Sequence, residues 1–291
     1  MSKLVYAVTG ASGYLGKHLV NFLRQQDCIV YELGRSLSNA QITEYFLPFF
    51  LGETTLPELQ NVDVLIHCAY DFSTRSMNEN KKINLDGGKR LFQHAKKSGV
   101  KHIIFISTIS AYKDAKSIYG KIKYAIENEA ASVGAIIIRP GLIFSDNPKG
   151  IVGAMLQWVK NNSIVPLIGK GNQLFYVSEI EALCHLTNQL VITKQHAFSV
   201  ITATANKPTT FKELMMLIAQ KYNKKIYLVP VSFYLIWLAL KALELSGINL
   251  GFRSDSLVSA QYYNREIDFL PLLDFDDIHF PTADELLYKN I

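Results

Sequence analysis

Over the first 140 residues, apolar and polar positions follow two alternating rhythms. Leu4–Val8, Ile29–Leu33, Val64–His67, His102–Ser107 and Ala135–Arg139 are short runs rich in β-branched and aliphatic residues. They lack the apolar–polar alternation of half-exposed strands, so each is predicted as a strand buried on both faces. Between them, Leu15–Gln25, Asn78–Lys97 and Tyr119–Ser132 carry apolar residues at helical spacing. Strands alternating with helices predict an α/β fold, a doubly wound parallel sheet with right-handed crossovers. After Pro140-Gly141 the rhythm breaks into short strands, loops and helices. The expected division is a sheet domain over 1–144 and a smaller α+β domain over 145–291, some segments of which return to the sheet. In the second part, Ser178 and Glu181 have the S-x-x-E spacing of a capping box that opens a helix.

The run IYLVPVSFYLIWLAL, Ile226 to Leu240, is almost wholly apolar and is divided by Pro230. A bilayer-spanning helix needs about 20 residues, so stable membrane insertion is not expected. A core or interface helix is predicted, and contact with a membrane surface stays open. The rest of the composition is that of a soluble globular protein, with 49% apolar and 19% charged residues. The net charge of +5 comes from scattered lysines, which makes no case for nucleic acid. Cys28, Cys68 and Cys184 lie far apart and match neither a disulfide framework nor a CxxC metal site. No metal is expected, and free thiols fit a reducing cytoplasm. The start, MSKLVYAVTG, lacks the shape of a signal peptide, in keeping with a cytoplasmic location.

Candidate chemistry begins at VTGASGYLGKHL, residues 8 to 19, where Gly10, Gly13 and Gly16 follow the first strand and open the first helix. Glycines there let a pyrophosphate approach the backbone, and the helix N-terminus offers free N–H groups and a positive dipole end. Dinucleotide binding by a Rossmann-type sheet is predicted. An Asp or Glu ending the second strand usually holds a free ribose 2′-hydroxyl. In CIVYELGRS that place is Gly34, followed by Arg35, with Glu32 two residues early. A guanidinium suits a 2′-phosphate, so NADP is favoured over NAD.

A second constellation follows the fourth strand. FISTISAY spans Phe105 to Tyr112 and YGKIK spans Tyr119 to Lys123. Tyr119 and Lys123, four apart, share a helix face. A tyrosine of ordinary pKa, about 10, is a poor base at neutral pH, and a nearby ammonium would bring it into range. Thr108 or Ser107, at the strand end, can hydrogen-bond a substrate carbonyl or alkoxide.

These pieces together resemble the extended short-chain dehydrogenase/reductases of the NAD-dependent epimerase/dehydratase family. TGASGYLG resembles the family's TGxxGxxG, IHCAY its strand-end motif beside the cofactor, and INLDGGKRL its N-x-x-G-x-x-x-L helix. STISAY, YGKIK and IIIRPGLIF resemble its catalytic pieces and its RPG turn. The resemblance implies Tyr119 as acid/base, Lys123 as its activator and ribose ligand, Thr108 at the Ser/Thr position, and Asn84 as the supporting asparagine. It also implies cofactor contacts from Gly10, Ser12, Gly13, Tyr14, Leu15 and Gly16, from Cys68 and Ala69, and from Pro140. Glu53 stands for the more usual Asp near the adenine.

Two departures bear on the reaction. The dehydratase branch carries Asp-Glu after its Thr, where this chain has Ile109-Ser110, so 4,6-dehydration is not expected. The arginine of nucleotide-sugar epimerases is replaced by Asn172 and Gln173, with Ser178-Glu179 at the acidic pair; Arg253 is a substitute candidate. The leading expectation is hydride transfer to or from a carbonyl or secondary alcohol of a small-molecule substrate, first of all a nucleotide-linked sugar. Reduction of a hydrophobic ketone of sterol or flavonoid type, and a non-catalytic NADP sensor, are the alternatives. A homodimer stays open.

Overall fold

In a parallel sheet the outermost residues of neighbouring strands end together, and the ends of this one carry the site. The computed structural model describes residues 3–35, 45–73, 76–193, 199–248 and 251–288. Its first part runs β1 (Val5–Thr9), α1 (Tyr14–Gln25), β2 (Ile29–Gly34), β3 (Phe46–Pro48), β4 (Val64–His67), α2 (Met77–Asn80), α3 (Asp86–Lys97), β5 (His102–Ile106), α4 (Ile118–Ser132) and β6 (Ile136–Pro140). The second runs β7 (Leu142–Phe144), α5 (Gly150–Asn161), β8 (Ile164–Ile168), β9 (Leu174–Phe175), β10 (Val177–Glu179), α6 (Ile180–Ile192) and β11 (Val200–Ala203). Then come β12 (Thr209–Thr210), α7 (Phe211–Lys221), β13 (Tyr227–Val231), α8 (Phe233–Leu245), α9 (Ser254–Gln261) and α10 (Ala283–Tyr288).

The seven-stranded parallel sheet has the order β11-β6-β5-β4-β1-β2-β3. Successive residues of one strand enter opposite layers of core, because strand side chains alternate in direction. Tyr6, Val8, Val64, Ile66, Ile104 and Ile106 join one cluster with α1, α5 and α6. Ala7, Leu65, Ile103 and Phe105 join the other, with Leu91 and Phe92 of α3 and Ile122 and Ile126 of α4. This two-sided burial is why the strands read as unbroken apolar runs. Two edge strands escaped that reading. β3 is only three residues long and ends in Pro48, which an edge tolerates. β11 arrives from beyond residue 144 and pairs with β6.

Two local expectations need correction. Asn78–Lys97 is not one uniform helix: α2 and α3 are joined by a π-helical turn at Lys81–Leu85. The side chain of Asn84 in that turn is turned to the loop after β4, where Nδ2 donates to the Asp71 carbonyl at 3.1 Å and Oδ1 accepts from Asp71 N–H at 2.7 Å. Ser178 does not cap α6, whose N-cap is Glu179 without a side-chain bond. Its hydroxyl instead donates to the Ala203 carbonyl and accepts from Gly141 N–H, tying β10 to the RPG turn. Burial between three strands outcompeted the local cap.

α4 is placed by close backbone approach. A Cβ on Gly120 would lie 2.4 Å from the Ser110 carbonyl oxygen. Gly120→Ala is expected to cost about 1–3 kcal/mol by overpacking, read as a lower denaturant midpoint with an unchanged slope.

Candidate active site

Thr9 closes β1. Its Oγ1 accepts from the N–H groups of Cys68 and Ala69, both at 3.2 Å, and lies 2.7 Å from His67 Nδ1. With its lone pairs taken, the hydroxyl proton goes to Nδ1, so Nε2 carries the ring's own proton. Burial holds His67 neutral by pushing its pKa down to about 3. Beyond Thr9 the chain turns through Gly10 at φ +67°, the left-handed region that favours glycine. A Cβ on Gly16 would lie 2.2 Å from the Gly10 carbonyl oxygen, and one on Gly13 3.0 Å from it. Gly13 is the N-cap of α1 and supplies no side-chain cap, which leaves the first N–H groups of the helix for a ligand.

These N–H groups border a cavity of about 410 Å³, walled by Gly10, Ser12–Gly16, Leu33–Arg35, Phe49–Leu51 and Cys68–Phe72. A cradle that any Cβ would fill, at an uncapped helix N-terminus, fits a dinucleotide pyrophosphate. Arg35 is exposed at the cavity wall, its guanidinium 5.6 Å from the centre of the Phe50 ring. Glu32 is buried and paired with Arg24 at 2.9 Å, so its carboxylate does not line the cavity. Glu53 and Pro140 do not line it either. Glu53 is exposed, with its carbonyl accepting from Arg90. Pro140 is buried in β6, its carbonyl accepting from Ile109 N–H.

Tyr119 and Lys123 lie on the first turns of α4, against the end of β5. Ser117 caps the helix by accepting from Gly120 N–H at 3.1 Å. The Asp255 carboxylate of α9 accepts from Ile118 and Tyr119 N–H at 2.8 and 2.9 Å. Nothing local in the sequence marks Asp255, which reaches the helix from 136 residues away. Tyr119 shares a hydrogen bond with Thr108, whereas the Ser107 hydroxyl is buried without a partner among the described residues.

Lys123 is placed differently from expectation. Its ammonium donates to the Ile106 carbonyl at 2.7 Å and lies 4.6 Å from the Phe105 ring centre. It faces the Tyr119 ring at 6.0 Å. Burial pushes the Tyr119 phenol up, the Thr108 bond works against that, and Lys123 is not among the causes. Burial also brings Lys123 down to about 8. The reason is aromatic cover: the Tyr70 ring stands edge-on to Tyr119 at 5.0 Å, and Phe72 stacks on it at 5.6 Å. Both aromatics stand in the sequence just after IHCA, but nothing there told their role from that of core residues.

Phe72 separates the cavity of the glycine loop from a second, of about 240 Å³, bordered by Thr108, Ile109, Ser110, Tyr119 and Gly141. A third, of about 290 Å³, shares Ile151, Phe175, Arg253, Ser256 and Ala260 with the second, so the two are contiguous. It lies among β8, α5 and α8, with Trp158, Ile236, Leu240 and Phe252 in its wall. Gln173 is engaged elsewhere, donating to the Ile168 carbonyl and to Gln261. A further cavity, about 570 Å³ beside Phe144–Gly150, contains no member of either constellation. Among the described residues no cluster of His, Cys, Asp or Glu could hold a metal ion.

A model of the NAD dependent epimerase/dehydratase family matches residues 6–178. Among curated proteins, the ceramide reductase of Caulobacter vibrioides is 25% identical over 198 residues, covering 62% of this chain and 59% of the relative. Human sterol-4-alpha-carboxylate 3-dehydrogenase (decarboxylating) is 26% identical over 212 residues, covering 61% of this chain and 55% of the relative. The matches thus span less than two thirds of these relatives. Among solved structures, dTDP-4-dehydrorhamnose reductase from Bacillus anthracis, in complex with NADP, superposes with a TM-score of 0.68 at 18% identity, covering 99% of this chain and 98% of the other. That likeness is one of fold.

The depressed Lys123 pKa has a consequence for stability. The unfolded chain keeps this proton up to about pH 10.4, the folded chain only to about 8, so folding is disfavoured below that window and stability from this group rises with pH across it. Lys123→Met is therefore expected to be more stable than wild type at neutral pH by about 1–3 kcal/mol, with the gap shrinking above pH 8. Urea unfolding on both sides of the window tests this. A destabilised Met variant at neutral pH would mean that the Ile106 hydrogen bond outweighs the burial of charge.

Proposed function

The chain belongs to the NAD dependent epimerase/dehydratase family, and from that premise we propose that it is an NADP-dependent reductase of a ketone carried by an extended hydrophobic molecule. The observation that supports the substrate class is the apolar cavity of α5, β8 and α8, contiguous with the one that borders Tyr119 and Thr108. A carbonyl at Tyr119 would leave an aliphatic or ring body among Trp158, Ile236 and Leu240, where burial of apolar surface drives binding. The curated relatives named above carry the names of enzymes acting on ceramide and sterol substrates.

When bound, the reduced cofactor supplies a hydride to the carbonyl carbon. Gly10, Gly13 and Gly16 would leave room for its pyrophosphate against the N–H groups that open α1, Cys68 and Ala69 would flank it, and Arg35 would take the 2′-phosphate. Tyr119 donates its phenolic proton to the carbonyl oxygen, and the Thr108 hydroxyl holds that oxygen in place. A phenol held above its ordinary pKa is protonated at neutral pH, which suits the donor in a reduction. Lys123 anchors α4 to the end of β5 and keeps a positive charge beneath the ring. Ile109 and Ser110 offer no acid for elimination of water. Residues 145–291 supply most of the substrate side, with Asn84 bracing the loop of Tyr70 to Phe72.

A nucleotide-linked sugar is the second reading. Arg253, 5.8 Å from the Phe72 ring centre, borders both substrate-side cavities and would meet a diphosphate. NADPH consumption with long-chain and sterol ketones, set against nucleotide 4-ketosugars, separates the two. Turnover of the ketosugars alone would overturn the hydrophobic-substrate reading.

Tyr119→Phe is expected to lower turnover by about 10²–10⁴-fold while leaving calorimetric NADPH affinity unchanged. Near-normal turnover would remove Tyr119 from the mechanism. Arg35→Ala is expected to weaken NADPH binding by about tenfold or more and NADH binding much less, in line with loss of a charge-assisted hydrogen bond. A preference unchanged by the substitution would place the 2′-phosphate elsewhere.

A further inference from the structure

Helix α8 carries only Lys241 and Glu244 as charged residues and yet buries no residue. A helix of that composition is normally enclosed by protein or by lipid. Its inner side, Ile236, Leu240 and Leu243, forms a wall of the apolar cavity. Its outer side presents Tyr234, Leu235, Leu238 and Leu245, each more than 60% exposed. The strand before it adds Tyr227 and Val229, and Ile164, paired with Tyr227 across β8, is exposed too. At 13 residues the helix is about 20 Å long, short of the roughly 30 Å of a bilayer core. No helix among the described residues is long and apolar enough to cross a membrane. Lying in the interface is the alternative to spanning.

Charge says which partner fits. Lys160, Lys224 and Lys225 gather where β13 begins: Lys224 donates to the Lys160 carbonyl at 2.8 Å, and the Lys225 ammonium lies 5.6 Å from the centre of the Tyr227 ring. Exposed Lys170 follows β8 at the opposite end of the strand pair. Apolar side chains bordered by lysines, with aromatic rings of amphipathic character among them, are the chemistry of an anionic lipid surface.

We propose that the face formed by β13 and α8 docks on an anionic bilayer, with Leu235 and Leu238 in the acyl boundary and the lysines at the headgroups. The inner side of the same helix then sets next to the membrane the apolar cavity that shares wall residues with the one bordering Tyr119. The docking depends on the lipid-like substrate reading for its purpose but not for its test, since vesicle binding is measured with no substrate present.

The full chain is sedimented with phosphatidylcholine vesicles with or without phosphatidylserine, beside Leu235→Asp/Leu238→Asp. Both positions are exposed, so circular dichroism should show an unaltered fold. The expected result is partition onto the serine-containing vesicles, weaker by about tenfold or more on neutral vesicles and in the variant. Absence of wild-type partition, or equal partition of the variant, overturns the proposal. A wild-type dimer that the substitutions make monomeric, without vesicle binding, also overturns it and assigns the face to a second copy of the chain. The variant should keep turnover on a short water-soluble ketone. Vesicle binding without lipid-ketone turnover would leave docking standing and defeat the substrate reading alone.

Discussion

The end of a parallel strand pair leaves backbone N–H groups with no ladder to join, and everything around this site depends on how β1 and β4 solve that problem. The Thr9 hydroxyl takes the N–H groups of Cys68 and Ala69 and gives its proton to His67. The two strand ends are thereby held side by side. Gly10 can then turn away at positive φ, and its carbonyl lies under the first turn of α1 so closely that Gly16 has no room for a side chain. From the β4 side the chain continues into Tyr70 and Phe72, which cover Tyr119. One buried hydroxyl thus links the floor of the glycine-loop cavity to the aromatic cover of Tyr119.

The constellation of Tyr119, Lys123 and Thr108 places opposing demands on one small volume. Enclosure strengthens each hydrogen bond there, and it also makes every charge costly. The lysine meets that cost by donating to a strand-end carbonyl and facing aromatic rings. The tyrosine meets it by staying protonated. A phenol arranged in this way is protonated at neutral pH and is better suited to giving a proton than to taking one.

Much of this was legible in the chain because the signals were local. Two-faced burial marks a parallel strand without reference to its neighbours, and the glycine spacing is fixed by contacts within seven residues. The helical spacing of Tyr119 and Lys123 put them on one face, and α4 keeps them there. What sequence could not supply was the partner of each group. Lys123 had the Tyr119 hydroxyl as its obvious target and chose the Ile106 carbonyl, because the aromatic cover left that acceptor within reach. Ser178 had a good local cap available and was drawn instead into the junction of β10, β11 and the RPG turn. Asp255 holds the start of α4 from a distant helix, a contact with no local trace. Glu53 could be matched to a motif position, but its side chain stays at the surface, outside the cavity wall.

The π-helical turn at Lys81–Leu85 accommodates one residue more than an α-helical path would. Removing a single residue from this turn would restore a continuous α-helix, a locally favourable change. Because the π turn absorbs its extra residue within one turn, the helices on either side would keep nearly the same relative rotation, and the change would fall on the turn itself. Asn80 and Asn84, which brace the Tyr70 hydroxyl and the Asp71 loop, would then stand one residue closer together along the chain. Length changes in this segment are thus coupled, through Tyr70 and the Asp71 loop, to the aromatic cover of Tyr119. A surface helix that looks free to drift in length is held to one register by the loop it supports.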